Sequence, residues 1–110
     1  MGWTFGGWET KEEVVDEVIS GFSYEEEILA KKVVEDSLWV VYRRPNREPS
    51  IYLFMLDEQG GEWGYKDVHE DMGPYDLSCP KEFLKLCPDD SNRSDHSKEW
   101  RKKIREGRGS

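Results

Sequence analysis

The chain has 110 residues, 24 acidic and 16 basic, for a formal net charge of −8. That length allows one domain around one core, and no apolar run approaches the ~18 residues of a membrane-spanning helix. Hydrophobic residues make up only 35% of the chain while aromatics reach 13%, so large rings have to carry the core.

The charge is unevenly spread. Residues 1–91 hold 9 Lys and Arg against 21 Asp and Glu, a net of −12, and residues 92–110 hold 7 against 3, a net of +4. An acidic body repels phosphate backbones and disfavours nucleic acid as the partner. It suits a protein partner with a basic surface. Neither a secretory signal nor a membrane anchor is read. The "MGWTFG" start places Gly6 where a myristoylation signal needs Ser or Thr. The expected location is the cytoplasm. Cys79 and Cys87 each precede a proline and form no CxxC pattern, so they read as small buried thiols in a reducing compartment.

In chain order, "MGWTFGGW" mixes glycine with large aromatics that can pack as a short edge strand. "TKEEVVDEVISGF" predicts a helix. Thr10 and Glu13 make a capping box, Val14, Val15, Val18, Ile19 and Phe22 share one face, and Gly21 stops it. Four strands follow: 25–35, 37–44, 51–58 and 62–70, with "DS" expected at the first turn and "QGGE" at the last. Short links predict an antiparallel meander. "CPKEFLKLCP" predicts a short helix between two prolines, with Asp76 or Ser78 as its cap. "HSKEWRKKIREG" predicts a last helix whose only apolar stripe is Trp100 and Ile104, docked by Trp100 and otherwise facing solvent. The expected fold is α+β: an N-terminal helix on a four-stranded, mostly antiparallel sheet, followed by two short C-terminal helices. It forms a single domain over 1–106, and 107–110 read as a disordered tail resembling a cloning remnant.

The chemistry-bearing types concentrate in "EWGYKDVHEDMGPYDLSCP", residues 62–80. If this stretch is extended, Trp63, Tyr65, Asp67, His69 and Asp71 share one face, and Gly64, Lys66, Val68 and Glu70 the other. A carboxylate–imidazole row of this kind suits a divalent cation, but His96 is the only other histidine, and no metal or cofactor is expected. General acid–base work would use His69 with Asp67 or Glu70, and a nucleophile would be Cys79 with His69. Neither pair has a specific spacing, so no catalytic residue is assigned. The competing reading is structural. The strand stops, turns at Gly73–Pro74 and enters a helix, with Lys66 paired to a neighbouring carboxylate and Glu70 or Asp71 holding turn amides.

The segment "GYKDVHEDMGPYDLSCPKEFLKL", the Met1-Gly2-Trp3 start and Glu99-Trp100-Arg101 resemble, in the same order, a family of small proteins of unknown function from phages, plasmids and other bacterial mobile elements. The family pattern falls on Gly64, Tyr65, Lys66, Asp67, Glu70, Gly73, Pro74, Cys79 and Pro80. His69 and Asp71 stand where the family fixes neither type. The resemblance implies a bacterial host cytoplasm and a host or phage protein as partner. It marks Trp63, Tyr65, Lys66, Asp67, Glu70 and Cys79 as candidate binding residues.

These observations lead to a non-enzymatic protein-binding module, acting on a host or defence protein through an acidic surface made of Glu12, Glu13, Asp16, Glu17, Glu25, Glu26 and Glu27. The alternative is a small enzyme or metal-binding protein centred on Lys66, Asp67, His69, Glu70 and Cys79. A third use, contact of the basic Arg101–Arg105 segment with nucleic acid, is opposed by the acidic body. The oligomeric state is not read from the sequence.

Overall fold

The structure, a computed structural model, describes residues 3–69, 77–88 and 93–107. Met1, Gly2, Glu70, Asp71, the Gly73–Pro74 turn, Asp76 and residues 108–110 lie outside the described residues. The elements are β1 (Thr4–Trp8), α1 (Lys11–Ser20), β2 (Glu27–Val34), β3 (Ser37–Arg43), β4 (Ser50–Gln59), β5 (Glu62–His69), α2 (Lys81–Leu86) and α3 (Asp95–Arg105). The α+β class and the three helices match expectation. The sheet has five strands rather than four, in the order β1-β5-β4-β3-β2, with every pair antiparallel.

The fifth strand comes from the glycine-aromatic leader. Without it β5 would leave an edge of unpaired amides. Thr4 pairs with Tyr65 and Phe5 with Gly64, the register then slips, and Trp8 faces Trp63. Gly7 makes the slip possible at φ 79°, a region that side-chain-bearing residues rarely occupy. Gly64 lets β1 come close. A Cβ there would meet the Phe5 ring and the Thr4 carbonyl oxygen at 2.5 Å.

α1 begins as its sequence dictates. Thr10 Oγ1 accepts the Glu13 N–H at 3.2 Å, and the Glu13 carboxylate accepts the Glu9 N–H at 3.3 Å. Lys11 then ties the helix to the β2–β3 turn, donating to the Glu35 carbonyl at 2.8 Å and pairing with Asp36 at 3.0 Å. That turn is Glu35–Asp36, one residue earlier than expected, with Ser37 already in β3 opposite Val34.

Alternation along β3 divides the core into two layers. Leu38, Val40 and Tyr42 pack with Val14 and Val18 of α1. Trp39 and Val41 point the other way, to Phe83, Leu84, Trp100 and Ile104 of α2 and α3. β3 is therefore buried on both faces from Ser37 to Tyr42. Trp100 stacks on Trp39 with ring centroids 5.7 Å apart, which is how α3 docks. At α2 the expected side-chain cap is replaced. Pro80 occupies the N-cap with no side-chain bond, and Ser78 Oγ accepts the Trp39 indole N–H at 3.0 Å.

Candidate functional site

The motif over 62–80 is divided between the two faces of the sheet. Trp63 and Tyr65 pack in the α1 layer. Asp67 follows on that face, opposite Phe54 in the register. Lys66 stands opposite Met55 on the reverse side and makes no ion pair among the described residues, so the expected pairing with a neighbouring carboxylate is not found. Cys79 is buried in the α2–α3 layer, its thiol donating to the Pro80 carbonyl at 3.6 Å. Asp67 and Cys79 therefore do not share a site: Asp67 lies on the α1 side of the sheet and Cys79 in the layer under α2 and α3 on the other side. His69 pairs with Tyr52 in the register. Among the described residues there is no group of three His, Cys, Asp or Glu side chains able to hold a metal ion.

The acidic candidates also separate. Glu12, Glu13, Asp16 and Glu17 are all exposed on α1, and none forms an ion pair among the described residues. Glu26 and Glu27 are already matched, to Arg44 at 3.0 Å and to Arg43. Glu26 also accepts the Ser23 N–H at 2.8 Å. That backbone bond, followed by the Arg44 contact, holds its carboxyl below the ordinary value of 4.5. Glu25 remains exposed beside them.

What the structure adds is a cleft of about 360 Å³ on the α1 side of the sheet, within the range of ~300–1,000 Å³ typical of ligand sites. It exists because α1 is short. Ten helical residues span about 15 Å, whereas the ten residues of β4 span about 33 Å. Past Gly21 the helix no longer covers the sheet. The rings of Phe22, Tyr42, Tyr52, Phe54 and Tyr65 line the gap, with Glu17, Glu26, Arg44 and Asp67 as its charged members.

These rings form a continuous ladder across the sheet. Phe22 lies 5.2 Å from Tyr42, Tyr42 5.5 Å from Tyr52, Tyr52 5.6 Å from Phe54, Phe54 6.2 Å from Tyr65 and Tyr65 5.9 Å from Trp8. The separations fall in the favourable range for offset and edge-on ring pairs. Two cations of the chain rest on aromatic rings of this face, Arg44 over Tyr42 at 5.7 Å and Lys11 over Trp63 at 5.2 Å. Burial raises the Tyr42 phenol above its ordinary value, with Arg44 opposing.

Of the sequence candidates, Trp63, Tyr65, Asp67 and Glu17 come together on this face, and Glu26 joins them already paired. Sequence reasoning missed Phe22, Tyr42, Tyr52, Phe54 and Arg44 as site residues. A signal was present: Tyr52 and Phe54 alternate on β4, as Trp63 and Tyr65 do on β5. The six-residue apolar run of β4 hid it, since a strand covered on both faces reads the same way. The basic C-terminal candidate is corrected at one residue. Arg101 is fully buried, donating to the Cys87 carbonyl at 2.6 Å and to the Cys87 sulfur at 3.2 Å. It anchors α3 to the end of α2 rather than facing a ligand.

No protein-family model matches the chain, and no curated protein or solved structure matches it significantly.

Proposed function

We propose that the protein is a non-enzymatic protein-binding module that holds a partner with a basic surface against its α1 face. Following the sequence resemblance, the partner is a host or phage protein in the cytoplasm of a bacterium. The observation that carries the reading is the state of the α1 carboxylates. Glu12, Glu13, Asp16 and Glu17 are exposed and have no ion-pair partner among the described residues.

Glu12 with Asp16 and Glu13 with Glu17 are like-charged neighbours four residues apart, each unfavourable by about 0.2–0.5 kcal/mol in an isolated helix. A basic partner relieves that repulsion on binding. The loop after α1 adds Tyr24, 97% exposed, a residue type enriched at energetically dominant interface positions.

The test is capture with the tagged protein at low and high salt, alongside a Glu12→Gln/Asp16→Asn/Glu17→Gln variant. The Debye length falls from about 10 Å at 0.1 M to about 3 Å at 1 M salt. The expected result is one partner with a basic surface, lost at high salt and lost with the neutralised variant, whose melting temperature is not lowered because two like-charge pairs are relieved. A partner retained equally under both conditions and by the variant refutes the reading.

A further inference from the structure

We propose, on the reading that the partner is basic, that the cleft past the end of α1 is the seat for an arginine side chain of that partner. Its guanidinium lies against Tyr65, with Asp67 and Glu17 as counter-charges.

The α1 side of the sheet already uses this recognition unit twice. Arg44 lies over Tyr42 and bonds Glu26 at 3.0 Å. Lys11 lies over Trp63 and bonds Asp36 at 3.0 Å. In each case a cation meets a ring and a carboxylate together. Tyr65 and Asp67 form a third such pair, two residues apart on β5 and both lining the cleft. Among the described residues no cation of the chain occupies it.

Charge selects the ligand class. The cleft's charged members are Glu17, Glu26, Asp67 and Arg44, a net of −2, which repels phosphates and carboxylates. A cation is drawn to the face of an aromatic ring, and five rings line the cleft, of which Tyr42 already carries Arg44. A guanidinium fits better than an ammonium, because its plane stacks on a ring while its fork bonds a carboxylate.

The probe is acetyl-Gly-Arg-Gly-amide titrated into the full chain and followed by NMR of the tyrosine rings. Its counterpart carries citrulline, which has the same shape without the charge. The expected result is a saturable shift of the Tyr65 ring, with citrulline binding about tenfold more weakly and Asp67→Asn lowering arginine affinity to a similar degree. Asp67 is exposed, so this variant folds, and an unchanged melting temperature verifies it. Equal binding of the two peptides, or no effect of Asp67→Asn, overturns the proposal. A hexa-arginine peptide separates it from the reading it rests on. Salt-sensitive shifts at the Glu12 and Asp16 amides with Tyr65 silent overturn the seat and leave the basic partner standing. Absence of any response to hexa-arginine overturns both.

Discussion

Replacing Gly64 by alanine tests whether the motif glycine is there for architecture. Its added Cβ would lie 2.5 Å from both the Phe5 ring and the Thr4 carbonyl oxygen, against ordinary contacts of 3.4–4 Å. The ring can rotate away, but the carbonyl belongs to the β1 backbone and is fixed by its pairing with β5. β1 therefore has to retreat by roughly an ångström or unpair. Overpacking a well-filled site costs about 1–3 kcal/mol, and a backbone contact puts Gly64→Ala near the upper end, at about 3 kcal/mol. For a domain of this size that corresponds to a fall in Tm of about 12–20 °C. Thermal and urea unfolding followed by circular dichroism measure it directly. Adding Phe5→Ala should not restore the loss, because the Thr4 oxygen is still in place and the ring's own packing is gone. A Gly64→Ala protein within about 1 kcal/mol of the parent refutes the reasoning. It would mean that β1 is held loosely enough to yield, and that Gly64 has to be explained by something other than close approach.

Three further outcomes follow from the packing and the ion pairs. Trp100→Ala removes the ring stacked on Trp39 at 3% exposure and should cost about 3–5 kcal/mol, read as a shift of the urea midpoint; a change under 1 kcal/mol would show that α3 does not depend on this contact. Ser78→Ala leaves the fully buried Trp39 indole without its 3.0 Å acceptor and should cost about 1–3 kcal/mol, with a changed tryptophan emission spectrum as a second readout. Glu26 is held below its ordinary value of 4.5 by the Ser23 amide and Arg44. Its contribution to stability is therefore complete above that pH and is lost as the pH falls through the lower folded-state value. Glu26→Gln should be less stable than the parent at pH 7, and the gap should close in acid. A gap that stays constant from pH 7 down to about 3 contradicts the assignment.

Local signals were legible where the chain needs no distant partner to decide. α1 was readable because Thr10, Glu13 and Gly21 mark its ends and Val14 and Val18 mark its buried side, all within a few turns of one helix. The strands of the meander were readable for the same reason: each is bounded by turn residues and pairs with its sequence neighbour. β1 was harder, because its partner β5 lies more than fifty residues away and its two glycines weaken any strand pattern. The Ser78 cap failed in a similar way. The hydroxyl sits where a helix cap is expected, but the indole of Trp39, thirty-nine residues earlier, uses it.

The sequence by itself determined the α+β class, the acidic character, the ends of α1 and the alternation that puts Trp63, Tyr65 and Asp67 on one side of β5, because these depend on residue type and period. Only the tertiary structure decided that Cys79 lies behind the sheet from Asp67, that Arg101 is buried against Cys87, and that Tyr42, Tyr52, Phe54 and Tyr65 line one cleft. Those facts come from strand order and from a helix too short to cover the strands beneath it. Both are set by contacts between residues far apart in the chain, which no local pattern encodes.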